Sequence, residues 1–138
     1  ASAFAALASV AGAGVKTLIF EGFLSPKPGR RKSRVKELLE TGDAVILYES
    51  PFRIVKLLAD IADIESNRRV VVGRELTKLH EEITEGTAQE VFEDYSSRQK
   101  ILGEFAVFIS GNKNIKISEE SSDKIREARY DDKQDFRG

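Results

Sequence analysis

The amino-acid sequence predicts one α/β domain built on a mixed sheet of roughly five strands flanked by helices. Short apolar runs rich in β-branched residues alternate along the chain with stretches of helical period, as in layered α/β domains. Two runs, 44–48 and 69–73, are largely apolar without alternation, which is typical of strands buried on both faces. A weaker, polar strand near residue 80 favours a mixed sheet over an all-parallel one.

Composition excludes several classes of protein. The chain has 138 residues, is 41% hydrophobic and 33% charged, and carries a net charge of −1, which is a globular balance rather than a disordered one. The absence of cysteine excludes a disulfide framework and a cysteine nucleophile, and it suits a reducing compartment such as the cytoplasm. With a single histidine, we predict no metal site. The longest apolar stretch, 3–15, is too short to cross a bilayer, so we predict no membrane association.

The elements follow in order from apolar period and from turn residues. Ala-rich residues predict a helix at 1–13, and β-branched and aromatic residues predict the first strand at 17–24. The remaining predictions are a helix at 30–41, a strand at 44–48, a helix at 51–64, strands at 69–73 and 80–87, a helix at 87–95 and a strand at 104–110. From 112 to 138 the chain has few large apolar residues, so we predict a charged tail that is flexible or loosely helical.

A dense group of cations follows the first strand. Six lysines and arginines fall within ten residues, at positions 27, 30, 31, 32, 34 and 36. Basic side chains are unfavourable at the positive end of a helix macrodipole, so their concentration there favours binding to phosphate groups. The alternative is a solvated helix start. We predict phosphate contacts, without readout of base sequence, from Lys27, Arg30, Arg31, Lys32 and Arg34.

Two further groups of polar residues follow buried strands, at the strand ends where open α/β sheets bind ligands. Tyr48 and Glu49 are suited to hold a base or a ribose, although they equally suit a helix-capping segment. The run 74–82, RELTKLHEE, contains His80, which is either a general base or, more commonly for a lone histidine, a structural residue.

Taken in order, these segments resemble the C-terminal half of the ribosomal RNA small-subunit methyltransferase I family. The match is carried by FEGFL at 20–24, YESP at 48–51, RELTKLHEE at 74–82 and GEF at 103–105, and it covers about residues 2–110. The family belongs to the tetrapyrrole-methylase-like S-adenosylmethionine methyltransferases and methylates a cytidine ribose 2′-hydroxyl of 16S rRNA. It has a histidine where this chain has Phe52, so any role of that histidine is not available here.

The resemblance implies that residues 1–111 form the C-terminal lobe of the tetrapyrrole methylase fold, with the N-terminal lobe absent from this chain. It implies S-adenosylmethionine as the cofactor, with contacts from Ser2, Tyr48, Glu49, Arg74, Glu75, Leu76, Glu104 and Phe105. The general base is left open among Glu49, Glu75, His80 and the other lobe.

The implied partners are small-subunit ribosomal RNA or the ribosomal subunit and a second copy of the chain, in the cytoplasm. The chain alone is expected to fold but to be inactive. Three alternatives remain open: a non-catalytic RNA-docking lobe, a dimerisation lobe, and a relative with a tetrapyrrole substrate. The basic segment favours a polyanion over a macrocycle.

Overall fold

The computed structural model describes residues 17–77 and 80–112. The predicted helix at 1–13 and all of the predicted tail beyond residue 112 lie outside these residues. Eight elements are described: β1 Leu18–Phe23, α1 Pro28–Glu40, β2 Ala44–Glu49, α2 Ile54–Ile64, β3 Arg69–Thr77, β4 His80–Thr87, α3 Ala88–Ser96 and β5 Glu104–Ile109.

The strands form one mixed sheet in the order β1-β2-β5-β3-β4. The β1–β2 pair is parallel and the other three pairs are antiparallel, so the predicted mixed five-stranded sheet is confirmed. Strands β1, β2 and β3 therefore run in one direction and end at the same edge, where β4 and β5 begin. We call this the carboxyl edge.

Two element boundaries differ by three residues or more from those predicted. β3 continues to Thr77, four residues beyond the apolar run, because it pairs with the polar strand β4 along its whole length. α2 begins at Ile54 rather than at Pro51, because residues 51–53 form a turn between β2 and the helix.

The described helices all contribute to a core on one face of the sheet. Fully buried side chains of α1, α2 and α3, such as Leu38, Leu57 and Val91, pack with Val45, Leu47, Val70 and Val72 of the strands. Burial of this apolar area is the main stabilising term of the fold. The opposite face carries a smaller buried cluster of Ala44, Ile46, Val71, Ala106 and Phe108, with Tyr48 packed beside it.

The end of the sheet opposite the carboxyl edge is closed by a buried arginine, Arg68. Its guanidinium donates to the backbone oxygens of Ser110 at 2.7 Å, Leu39 at 3.2 Å and Asp43 at 3.4 Å, and it pairs with Glu65 at 2.9 Å. One side chain thereby ties together the ends of β5 and α1 and the start of β2, with acceptors for most of its donors.

Among residues 17–77 and 80–112, no helix is both long and apolar enough to span a membrane.

Candidate functional site

The carboxyl edge gathers most of the residues for which the sequence predicts cofactor contacts. Six of them lie on the three adjacent strands β2, β5 and β3: Tyr48, Glu49, Glu104, Phe105, Arg74 and Glu75. Leu76 is the next residue of β3, and Ser2 lies outside the described residues. Strand register places Glu49 opposite Phe105, and Phe105 opposite Arg74. Residues far apart in the chain thus occupy one row across the sheet.

The alternation of side chains divides this set between the two faces. Phe105 belongs to the helix-covered core, and its register partners Glu49 and Arg74 share that face. Tyr48 packs on the opposite face, and Glu75 and Glu104, which oppose each other, belong there as well. No single pocket on one face can therefore use all six side chains.

Phe105 supports the edge from within the core. Its ring is buried and meets the buried ring of Tyr95 edge-on, with 5.7 Å between the ring centroids. Burial raises the pKa of the Tyr95 phenol. The Phe105 side chain is therefore a packing group beneath the edge.

Glu49 is only 3% exposed, and its carboxylate is already engaged. Oε1 accepts the backbone N–H of Ser50 at 2.8 Å and the Nε–H of Arg53 at 3.0 Å. These bonds hold the turn between β2 and α2. The Glu49 carboxylate is thus occupied by contacts within the protein.

Two nitrogens of the Arg74 guanidinium differ in their contacts. Its Nη2 lies 3.4 Å from Glu82, whose other carboxylate oxygen accepts a shorter, 2.6 Å bond from Arg98. The Arg98 guanidinium lies 4.0 Å from the centre of the Tyr95 ring. The Nε of Arg74 is buried and finds no hydrogen-bond partner among residues 17–77 and 80–112. Because a buried unsatisfied donor is costly, this atom is suited to an acceptor on a ligand.

A glycine sets the close approach of β5 to β3 at the edge. Gly103 has φ +103°, and a Cβ at this position would lie 2.5 Å from the backbone oxygen of Glu75. Only glycine fits there without a shift of backbone. The position directly precedes Glu104 and thereby fixes where β5 begins.

Three aromatic rings meet at the carboxyl edge on the face opposite the helices. Tyr48 lies between Phe20 and Phe23, with ring centroids 5.5 Å and 5.6 Å away. β1 has an irregularity between Phe20 and Gly22, and Gly22 adopts φ +73°. This bulge places Phe23 opposite Tyr48, on the same face as Phe20. Sequence reasoning missed the cluster; the signal was two phenylalanines three residues apart around a glycine.

The two remaining candidates for the base also lie at this edge. His80 is the exposed first residue of β4 and pairs with Thr77 of β3. Glu75, two residues before Thr77, lies opposite Glu81 of β4. His80 lies at the edge because β4 pairs antiparallel with β3 and begins opposite the end of that strand. Among the described residues, no group of three or more His, Asp or Glu side chains is arranged to hold a metal ion.

The basic segment separates into paired and unpaired cations. Arg31 is 5% exposed and donates to Asp60 of α2 at 2.7 Å, and Lys32 pairs with Asp63. Arg34 makes two bonds to Glu21, at 2.7 Å and 2.8 Å. Two exposed cations at the start of α1, Lys27 and Arg30, have no ion pair within residues 17–77 and 80–112.

The Arg34–Glu21 pair shifts the titration of both groups. Hydrogen bonding to Arg34 lowers the pKa of the Glu21 carboxyl, and hydrogen bonding to Glu21 raises the pKa of the Arg34 guanidinium. The pair connects α1 to β1, so Arg34 has a structural role whatever else it contacts. Because several of its cations are paired with carboxylates, the basic segment has fewer cations free to bind a ligand than its sequence suggests.

Comparison with curated proteins finds relatives of one name. The chain is 38% identical over 96 residues to ribosomal RNA small subunit methyltransferase I of Borrelia garinii, covering 69% of this chain and 43% of that protein. It is 33% identical over 118 residues to the protein of that name from Bacillus subtilis, covering 84% and 40%. The chain thus spans less than half the length of these relatives. The resemblance predicted from the sequence is confirmed.

Solved structures and a family comparison agree on the fold. The methyltransferase CobJ aligns with a TM-score of 0.56 and the cobalt precorrin-4 methyltransferase CbiF with 0.54, each at 17% identity. These alignments cover 78% and 79% of this chain and 47% and 48% of those structures. The family described as tetrapyrrole (corrin/porphyrin) methylases matches residues 1–91. The chain therefore belongs to the tetrapyrrole methylase family.

Proposed function

We propose that this chain is the C-terminal half of an S-adenosylmethionine-dependent methyltransferase that methylates a cytidine ribose 2′-hydroxyl in 16S rRNA. The names of the relatives support an RNA substrate. The observation that carries the proposal is the row of functional side chains at the carboxyl edge, where Arg74 has an unused buried donor. Ribosomal RNA as the substrate implies a cytoplasmic protein.

The residues at the edge fit a methyl donor that carries a carboxylate, ribose hydroxyls and a positive sulfur. S-adenosylmethionine supplies a methyl group already activated by the sulfonium charge. The donor would therefore lie across the end of the sheet: the Nε–H of Arg74 would donate to one of its oxygens from the helix-covered face, and the carboxylates of Glu75 and Glu104 would offset its positive charge from the other face. Tyr48 would contact it through its partly buried ring. The chain's main task is to orient the acceptor oxygen, since an aligned transfer needs little further chemistry.

The ribose hydroxyl must lose its proton during transfer, which calls for a general base. Of the three candidates, we propose His80, which is exposed at the start of β4, because the Glu49 carboxylate already accepts from Arg53 and Ser50. We assign Glu49 the positioning of the β2–α2 turn beside the site.

RNA phosphates would be held first by the exposed cations Lys27 and Arg30. Lys32 and Arg34 are partly exposed but carry carboxylate partners, so a phosphate must compete with Asp63 or Glu21. Arg31 is buried against Asp60, and we leave it out of the proposed contacts. A non-catalytic RNA-docking lobe is the second candidate, favoured by the same two free cations.

A chimera tests the methyltransferase proposal. This chain replaces the matching half of the Bacillus subtilis relative in a strain lacking that protein, and 16S rRNA is digested and searched for 2′-O-methylcytidine by mass spectrometry. We expect the modification to return. Arg74→Met should abolish it, whereas Arg69→Met, at the exposed far end of the same strand, should not.

Two other outcomes decide between the alternatives. A folded chimera that binds S-adenosylmethionine but methylates a tetrapyrrole instead of RNA would contradict the proposed substrate. A chimera that binds RNA without transferring a methyl group would favour the docking lobe. Calorimetry of the isolated chain should show weak S-adenosylmethionine binding, and no turnover is expected from it alone.

A further inference from the structure

We propose that Phe23 and Phe52 each offer a stacking surface for an unpaired base of single-stranded RNA at the carboxyl edge. The inference rests on the proposed function, because it assigns residues that would present the nucleotide to the methyl donor. Phe23 is 68% exposed and is the last residue of β1. Phe52 is 86% exposed and follows β2, the strand that runs parallel to β1.

Large exposed rings are costly to leave in water, so the exposure of both rings at the carboxyl edge favours a ligand there. Phe23 is held in place by Tyr48, whose ring centroid lies 5.6 Å away at a tilt of 50°. The outer face of Phe23 remains available for contact, since most of the side chain is exposed. A nucleotide on Phe23 would lie directly beside Tyr48 and hence beside the row of residues that we assign to the donor.

The charge distribution along the edge favours RNA on this side. Lys27 and Arg30 begin α1, four residues or more after β1 ends, and both are exposed and unpaired among the described residues. The far side of the same edge carries Glu75, Glu81 and Glu104 on β3, β4 and β5. A polyanion is therefore attracted to the side with the rings and repelled from the other.

The rings also indicate the kind of RNA. Bases in a duplex are stacked on each other and unavailable, whereas unpaired bases stack on aromatic side chains and hydrogen-bond through their edges. An exposed ring with exposed cations a few residues further along the chain matches the combination that single strands require. At position 52, a phenyl ring cannot transfer a proton but offers such a face.

The test uses the whole 138-residue chain and a short single-stranded RNA containing 2-aminopurine, whose fluorescence is quenched by stacking. Phe23→Leu keeps an apolar side chain without an aromatic face, and Phe23→Tyr keeps the face. We expect Phe23→Leu to weaken binding at least fivefold and to lose the quenching, because stacking on a ring is a large part of the affinity. Phe23→Tyr should retain both, and Phe52→Leu should show a similar loss.

The matched control is Leu18→Ala, which removes an exposed apolar side chain from the other end of the same strand. It should leave RNA binding unchanged. Thermal unfolding of each variant separates a loss of binding from a loss of folding. A duplex of the same sequence should bind more weakly and cause no quenching.

Three outcomes would overturn the stacking surfaces: no quenching with the unaltered chain, equal binding by Phe23→Leu, or equal binding of duplex RNA. If Phe23→Leu instead leaves RNA binding intact but lowers the unfolding temperature, the ring covers a protein segment. In the chimera, methylation that persists with Phe23→Leu would reject stacking and keep the proposed function. If the chain quenches the fluorescence but the chimera does not methylate RNA, the stacking surfaces are kept and the proposed function is rejected.

Discussion

The arginines at the two ends of the sheet differ in their contacts. At one end, the buried guanidinium of Arg68 bonds to three backbone oxygens and to Glu65. At the carboxyl edge, Arg74 has a buried donor and Ser50 a buried hydroxyl without a partner among the described residues, and Phe23 is largely exposed. The closed end also has one such group, the side-chain oxygen of Asn112. The satisfaction of the arginine, rather than its presence, therefore distinguishes the structural end from the end that can receive a ligand.

The largest expected effect comes from breaking the closed end. Arg68→Met fills a similar volume but leaves the oxygens of Ser110, Leu39 and Asp43 without this donor, so it should lower the free energy of unfolding by about 3–5 kcal/mol. Urea unfolding measures the change. The neighbouring Arg69→Met is the control: its side chain is exposed and pairs with Glu85, and it should cost less than about 1 kcal/mol. Equal costs would remove the distinction between the ends.

At the carboxyl edge, the largest effect on folding should come from Gly103→Ala. A positive φ and a Cβ 2.5 Å from the Glu75 oxygen together should cost about 2–4 kcal/mol in urea unfolding. Gly29→Ala is matched to it, because a Cβ there meets nothing within 4 Å and lies in a helix. That control should stabilise the protein by about 0.5–1 kcal/mol. A neutral Gly103→Ala would show that the edge is not fixed by this contact.

The Arg34–Glu21 pair gives a smaller effect that depends on pH. The folded state lowers the pKa of Glu21, so the pair stabilises the fold at neutral pH and loses this contribution as the pH falls through the folded pKa. Arg34→Ala should cost less than about 1 kcal/mol at pH 7, because the arginine is partly exposed. In acid, its stability should converge with that of the unaltered chain. Lys36→Ala, an exposed cation of the same helix, should show no such convergence.

The smallest effect on stability is expected from the exposed cations Lys27 and Arg30. Their removal should separate an effect on RNA binding from an effect on folding. Lys27→Ala/Arg30→Ala should leave urea unfolding unchanged, since neither side chain has an ion pair among the described residues. It should, however, flatten the logarithmic salt dependence of single-stranded RNA binding by about 1.4, at about 0.7 for each phosphate contact. Arg69→Ala, at the closed end, should leave that slope unaltered. An unchanged slope in the double variant would remove these cations from the RNA interface.

The elements were predictable from local patterns, and so was the gathering of most predicted site residues at one edge of the sheet. Continuous apolar runs predicted β2 and the first half of β3, and strand ends followed by polar residues predicted the edge that gathers Tyr48 and Arg74. The polar second half of β3 was missed, because hairpin pairing rather than burial extends it. The pairing of Arg31 with Asp60 joins residues 29 positions apart, so charge density alone could not show which cations are engaged. The face of the sheet on which each site residue lies likewise depends on the register between strands, which local patterns do not reveal.

The bulge at Gly22 has a consequence for comparing sequences. In a regular strand, residues three apart point to opposite sides, so Phe20 and Phe23 could not both flank Tyr48. Gly22 shifts the phase of β1 by one residue, which turns the second ring out of the helix-covered core and towards the ligand edge. A homologous chain without glycine at this position should therefore have no use for an aromatic residue at position 23. Positions 22 and 23 should therefore change together among homologues. An alignment that puts a gap between them would misplace the aromatic ring.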